Sequence, residues 1–183
     1  PTEAQLSQFL IDGVLVVTSK WLSVHNGDAN QFQTVSAEQT GNGVLAASGI
    51  HKIVSVVRES GTDNDWRECR KIPPSMQGRV VDTDSLHFAS AYNPVYTELE
   101  DGAISVFPTP GGNPNSFKVY FVNNAPVEAD GGAITYASSD FKYFPLDKVY
   151  IVVLYASIQS LLAAMGGVHT TDTSGVDIAL SAI

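Results

Sequence analysis

The stretch that most restricts how this chain can fold begins at Val149. Its first seven residues are all apolar, the apolar character lasts to Met165, and no Lys or Arg follows Lys148. Pro145 suits the first turn of a helix and Gly166-Gly167 suits its end, so the sequence predicts a helix of about 20 residues, roughly 30 Å long. A helix that is apolar on every face has to be covered on every face.

A small β-rich domain can cover one side of such a helix, and an N-terminal helix or another subunit has to cover the rest. We therefore expect the helix to pack on at least two sides, with another chain on one of them. The stretch includes Ser157, Gln159 and Ser160 and is short for a membrane span, which argues against membrane insertion. The predicted subunit contact consists of Tyr150, Val153, Leu154, Ile158, Leu161 and Leu162.

A second helix is predicted from Thr2 to about His25. Thr2 can cap it, and Gln5 stands three residues further on, as in a capping box. Apolar residues recur at three- and four-residue steps for about six turns, although Gly13 weakens the pattern and the β-branched run 14–18 could also be read as a strand.

The middle of the chain, 50–138, carries strand and turn signals. Strands are predicted at 50–58, 66–72, 95–98, 104–107 and 117–122, with a shorter one at 134–136, and 100–102 looks like a hairpin turn. The predicted fold class is therefore α+β, with the N-terminal helix and the long C-terminal helix packed together and a hairpin- or sandwich-like β-rich middle. We expect one structural domain over 1–183, with 1–25 and 140–167 helical, a β-rich lobe at 50–138, and a C-terminal arm at 168–183.

Charge and cysteine content exclude several classes of function. The net charge is −9, which leaves no evident basic face for sequence-specific DNA binding. The single cysteine, Cys69, rules out a disulfide within the chain and the usual Cys-rich zinc site, and we expect it to be a half-buried strand residue.

Motifs for catalysis are also missing from the sequence. The four histidines have no H-x-x-H spacing, there is no G-x-S-x-G, and the Gly111-Gly112 loop lacks the ending of a phosphate-binding loop. The paired carboxylates at 63–65 and 82–84 lack the glycine and distal glutamate of a calcium loop. The sequence therefore predicts no enzyme, no cofactor and no metal site.

Two passages resemble a known family. The first comprises 93–98, 104–110 and 119–122, and the second comprises 143–147, 152–157 and Leu161. Their order is similar to that in neck proteins of tailed bacteriophages described as head-to-tail connectors or adaptors, in which a strand ending in P-x-P precedes a Y-x-P strand and F-P opens a helix. The likeness covers about 90–165, and the Asn123-Asn124-Ala125-Pro126 passage departs slightly from the pattern.

The resemblance implies a homo-oligomeric ring of about twelve copies, with the portal protein above it and a tail or neck protein below. DNA would pass through without sequence-specific binding, no membrane would be involved, and the protein would reside in the virion neck after synthesis in the host cytoplasm. In such families the C-terminal tail commonly docks onto the portal. The residues that would form this portal-docking arm are Thr173, Val176, Ile178, Leu180 and Ile183.

Other functions stay open at this point. A tail-completion, tail-tube or capsid-decoration protein would also be a virion structural component, although mostly β proteins of that kind need no long apolar helix. A small enzyme or ligand-binding domain assembled from distant residues is the third alternative, and a deep pocket with convergent titratable groups would favour it.

Overall fold

The computed structural model describes residues 1–42, 50–99 and 103–171. The fold class is α+β. The elements are three helices, α1 (Glu3–Val24), α2 (Gln77–Val81) and α3 (Val149–Thr171), with short 3₁₀ turns, and seven strands. The strands are β1 (Gln33–Val35), β2 (Ile50–Glu59), β3 (Trp66–Glu68), β4 (Arg70–Lys71), β5 (Val95–Glu98), β6 (Ile104–Phe107) and β7 (Phe117–Asn123).

Contacts divide the chain into two compact units. One consists of Pro1–Gln31 and the chain from Asn124 onward, and it holds α1 and α3. The other is Phe32–Asn123, which holds all seven strands and α2. The strands therefore lie between Gln33 and Asn123 rather than within the predicted 50–138, and 134–136 forms no strand.

The helical unit begins with a complete capping box. The Thr2 hydroxyl accepts from the backbone N–H of Gln5, and the Gln5 side chain accepts from the backbone N–H of Thr2. These two bonds satisfy backbone N–H donors that a helix start leaves free, and they confirm the predicted start. The helix continues through 14–18, so this run is helical and not a strand. The helix ends at Val24, with His25 as its C-cap.

The start and end of α3 differ from the prediction. The predicted helical part begins at 140, whereas the helical region opens with a 3₁₀ turn at Leu146–Lys148 behind Pro145, and α3 follows from Val149. Helical backbone also continues through Gly166-Gly167 to Thr171, so these glycines do not end the helix. Most of the predicted C-terminal arm, 172–183, lies outside the described residues.

In the β unit, two sheets enclose one apolar core. The first has the strand order β1-β7-β2-β3 and the second β4-β5-β6. The side chains between them are those of Val56, Cys69, Tyr96, Ile104, Val106, Phe117, Val119 and Phe121. Buried and half-buried positions alternate over most of β7 and throughout β6, as expected for strands with one face on a core.

The predicted strand 66–72 is two strands in two different sheets. Trp66–Glu68 pairs antiparallel with β2, whereas Arg70–Lys71 pairs parallel with β5. Cys69 lies at the crossing point and is buried, with its N–H donating to the Val56 carbonyl at 2.8 Å. The expectation of a half-buried strand residue was therefore wrong, because Cys69 fills the core where the chain changes sheets.

The predicted hairpin of β5 and β6 is confirmed by antiparallel pairing from Val95↔Phe107 to Glu98↔Ile104, and its tip at 100–102 lies outside the described residues. The open edge of β6 is closed at one point by a side chain. The amide of Asn42 donates to the Val106 carbonyl at 3.1 Å and accepts from the Val106 N–H at 2.8 Å, as a neighbouring strand would.

One buried hydroxyl in this unit has no partner. Within the described part of the chain, Thr97 Oγ1 is the only buried side-chain polar atom without a hydrogen bond. A buried polar group without a partner costs about 1–3 kcal/mol. We therefore expect Thr97→Val, which keeps the shape and removes the hydroxyl, to raise the free energy of unfolding by about 1 kcal/mol in urea titrations.

Thr97→Ser is the matched variant, because it keeps the hydroxyl and removes the methyl group. It should lower the free energy of unfolding by about 1 kcal/mol, the approximate value of one buried methylene. A Thr97→Val variant less stable than the parent would mean that the hydroxyl is satisfied after all.

Candidate assembly surface

The two long helices of the helical unit cross at close range. A Cβ atom built on Gly13 of α1 would lie 3.0 Å from Val152 Cγ1 and 3.3 Å from the Val152 carbonyl oxygen of α3. Val14, Val152 and Ala156 are buried. Gly13, which weakens the helical pattern in the sequence, is thus the residue that lets the two backbones approach each other.

The opposite face of α3 is not covered by the described residues of the helical unit. Val152 and Ala156 point to the buried side, while the exposed side chains occupy about half of the helix circumference at 3.6 residues per turn. All six residues predicted for a subunit contact are among them. The exposed large apolar side chains on this face are Tyr150, Val153, Leu154, Ile158, Leu161, Leu162 and Met165.

Length and composition alone would let part of this helix cross a membrane. The 20-residue stretch Leu146–Met165 meets both criteria, and it is the only such helix in the described part of the chain. Core helices of soluble proteins meet the same criteria. α3 differs from an isolated span in that one side is fixed against α1, which bears Glu3, Asp12 and Lys20.

A groove runs beside the exposed face of α3, and we call it the α1–α3 groove. It is open on one side, has a volume of about 570 Å³ and is mostly apolar. No local pattern points to the α1 residues or to Tyr136, because only the fold brings them to α3. The lining residues are Pro1, Leu6, Leu10, Tyr136, Val153, Ala156, Ser157, Ser160, Leu161 and Ala164.

A buried lysine fixes the start of α3. Lys148 Nζ donates to Gln31 Oε1 at 2.6 Å and to Asp147 Oδ2 at 2.9 Å, and it lies 4.9 Å from the centre of the Trp21 ring. The Trp21 indole N–H donates to Asp28 Oδ2 at 3.0 Å. A buried ammonium needs such partners, so this cluster connects the start of α3 to the end of α1 and holds the apolar face in a defined orientation.

Candidate sites for chemistry are few in the residues described. No group of three or more His, Cys, Asp or Glu side chains in 1–42, 50–99 and 103–171 could hold a metal ion. A pocket of about 440 Å³ in the β unit is lined by Val54, Ser55, Glu68, Cys69, Arg70, Lys71 and Tyr96. Burial raises the pKa of both Cys69 and Tyr96 to about 12, so neither is an activated nucleophile or base at neutral pH.

The raised pKa of Cys69 leads to a direct prediction. At pH 8.5 its thiolate fraction should be roughly 1,000-fold below that of an ordinary thiol, because the pKa lies about three units higher. We expect iodoacetamide to alkylate the folded protein at least 100-fold more slowly than the urea-unfolded chain, as followed by mass spectrometry. Equal rates in the two states would contradict the buried position.

The raised pKa of Cys69 also makes the stability of the fold depend on pH. The thiol stays neutral in the fold up to about pH 12, whereas in the unfolded chain it ionises near its ordinary pKa of 9.0. Its contribution to stability is therefore full below pH 9 and is lost as the pH rises towards 12. Cys69→Ala should weaken this alkaline loss.

The five residues predicted for a portal-docking arm, Thr173, Val176, Ile178, Leu180 and Ile183, all lie outside the described residues. The passages that carry the family resemblance fall on β5, β6 and β7, on the turn at 143–147 and on α3. A scan against protein-family models finds no match for this chain, and a search of curated proteins finds no relative.

Proposed function

We propose that this chain is a non-enzymatic structural subunit of the neck of a tailed bacteriophage. In this role it forms the head-to-tail connector ring that joins the portal to the tail and lines part of the DNA channel. The observation that carries the proposal is the uncovered apolar face of α3. The order of the residues at 93–122 and 143–161, which resembles that of connectors and adaptors, supports it independently.

The energetics of that face favour a protein partner. Fully burying a Leu, Ile, Val or Met side chain yields about 1.5–3 kcal/mol, so the seven exposed side chains together favour burial by several kcal/mol. Contiguous apolar patches on a soluble chain mark interaction sites. Because α3 is held against α1, the patch is presented as a fixed surface, and little ordering entropy is lost on binding.

The charge of the chain is compatible with a conduit for DNA. A subunit that lines a channel has to let the duplex pass, and each phosphate contact made by Lys or Arg would retain it. With a net charge of −9, the chain repels phosphate overall. The proposed ring therefore guides DNA without binding its sequence.

The polar side chains of the described residues support a structural role. Glu38–Lys118, Asp65–Arg67 and Glu98–Lys71 form ion pairs at the surface. Arg58 and Glu59, which are buried, bond to backbone groups and to Ser116 and do not converge on an open pocket. These groups hold loops in place, which supports the non-enzymatic role that we propose.

Native mass spectrometry of the full chain with purified portal rings tests the proposal. We expect about twelve copies to join one portal ring, and Leu161→Asp to prevent this by placing a charge on the apolar face. Leu146→Asp is the matched control, because Leu146 is at least as exposed as Leu161 but lies in the 3₁₀ turn before α3. No binding by the parent chain would overturn the connector role and would favour a tail-completion, tail-tube or decoration protein.

A further inference from the structure

Side chains of different size form two rows along α3. Four of the α3 positions that line the α1–α3 groove form the first row, in which only the first residue is large. We call it the groove row: Val153, Ser157, Ser160 and Ala164. The second row lies outside the groove, and its side chains are large and exposed. We call it the ridge row: Leu154, Ile158, Leu162 and Met165.

The two rows match each other in spacing and in length. Successive positions in each row are three or four residues apart, and each row extends over about three turns, or about 17 Å. Ridges of side chains with this spacing pack into the grooves of a neighbouring helix. A second α3 helix therefore offers large side chains at the intervals at which the groove row has small ones.

The hydroxyl groups of the groove row already have hydrogen-bond partners. The Ser157 hydroxyl donates to the Val153 carbonyl at 2.8 Å, and the Ser160 hydroxyl donates to the Ala156 carbonyl at 2.7 Å. Burying a hydroxyl is costly when its donor is left without a partner. An apolar partner can therefore cover both serines without leaving either donor unpaired.

Neither row places a charge in a contact. The stretch from Val149 to Met165 contains no Asp, Glu, Lys or Arg, and none of the residues that line the groove has a charged side chain. A nucleic acid or a charged protein surface would find no complementary charge there. The groove instead fits an uncharged helix surface with protruding apolar side chains, and the ridge row is such a surface.

We propose that the ridge row of one copy of this chain packs into the α1–α3 groove of the next copy. This contact rests on the proposed connector ring and names the two surfaces that close it. The ridge row and the groove row adjoin on α3, so one kind of contact covers both. Leu6 and Leu10, the half-buried leucines that α1 contributes to the groove, gain cover from the same side chains.

The positions of the two rows determine how the copies associate. At 3.6 residues per turn, the rows lie roughly a third of a turn apart around α3, so they face different neighbours. A contact between two different surfaces of one chain is head-to-tail. Each pair of copies leaves one ridge row and one groove free, and association continues until the ring closes.

Two variants with complementary defects test this contact in the full chain. Ile158→Asp places a charge on the ridge row and leaves the groove intact, whereas Ala164→Trp fills the groove and leaves the ridge row intact. Both positions are exposed, so the circular dichroism spectra should match that of the parent. By native mass spectrometry we expect rings for the parent and monomers for each variant alone. An equal mixture should give one-to-one dimers, because one intact contact remains.

Ala4→Trp is the matched control for Ala164→Trp. Ala4 is exposed and lies about two and a half turns before Gly13, so it faces away from α3. This variant should form rings as the parent does. Leu154→Asp on the ridge row and Ser157→Phe on the groove row are a second complementary pair, and their mixture should also give dimers.

Each other outcome overturns the contact in a recognisable way. If Ala164→Trp forms rings like the parent, the groove does not receive the ridge row, and the connector role stands without this contact. If the parent forms rings but neither mixture gives dimers, other surfaces close the ring. If the parent forms no oligomer and binds no portal ring, the proposed function and the contact both fail.

Discussion

Replacing Glu59 with alanine is expected to lower the free energy of unfolding by about 3 kcal/mol. The Glu59 side chain is fully buried, and Oε2 accepts from the Ser116 N–H at 3.1 Å and from the Ser116 hydroxyl at 2.9 Å. Its removal leaves the buried Ser116 N–H without this acceptor and leaves the Ser116 hydroxyl only the distant Glu38 Oε2, at 3.5 Å. A buried donor that loses its acceptor costs about 1–3 kcal/mol. The substitution also removes the negative charge beside Arg58, a buried cation whose pKa is lowered by that burial.

The control for this prediction is Glu98→Ala. Glu98 forms an ion pair with Lys71 at 2.6 Å, but both side chains are partly exposed, and such pairs contribute about 0–1 kcal/mol. Urea titrations followed by tryptophan fluorescence compare the two variants. Equal losses for Glu59→Ala and Glu98→Ala would mean that the buried carboxylate does not organise the loop before β7.

Gly13→Leu should have an effect of similar size in the helical unit. A Cβ atom at this position already approaches Val152 Cγ1 to 3.0 Å and the Val152 carbonyl oxygen to 3.3 Å, so a full leucine side chain has no room. The helices would have to move apart, and overpacking of this kind costs typically 1–3 kcal/mol and occasionally more. We expect about 3 kcal/mol, measured as a lower midpoint in the loss of helical circular dichroism.

The matched control is Gly78→Leu in α2. Nothing lies within 4 Å of a Cβ atom at Gly78, so the same substitution meets open space there. Because leucine is the better helix former by up to about 1 kcal/mol, this variant should be as stable as the parent or slightly more stable. A Gly13→Leu variant that melts like the Gly78→Leu variant would contradict the close crossing of α1 and α3.

Local patterns predicted the elements that depend on local physics. The capping box at Thr2, the strand signals on both sides of the β5–β6 turn and the alternation in β7 all involve neighbours within a few residues, and the structure confirms these elements. The split of 66–72 could not be predicted in this way. β3 pairs with its near neighbour β2, whereas β4 pairs with β5, which is remote in sequence, and no local pattern reveals that second pairing.

The assembly surface was also predictable only in part, for its α3 residues but not for the groove beside them. The continuous apolar run from Val149 was enough to select α3 residues that are exposed in the described part of the chain. The groove beside them was not predictable, because Leu6, Leu10 and Tyr136 reach α3 only through the packing of the helical unit. Gly13 weakens the helical pattern of the sequence, and the reason for a glycine there is visible only in the structure, where α1 crosses α3 at Val152.

We propose that another copy of the chain covers the exposed face of α3. Sedimentation velocity of the full chain, compared with Leu161→Asp and Leu146→Asp from low to high micromolar concentration, tests it most directly. We expect large, closed oligomers for the parent and for Leu146→Asp, and monomers for Leu161→Asp with an unchanged circular dichroism spectrum. A parent chain that stays monomeric at every concentration would contradict the coverage of α3 by another copy. A parent chain that associates with lipid vesicles and not with itself would also contradict it.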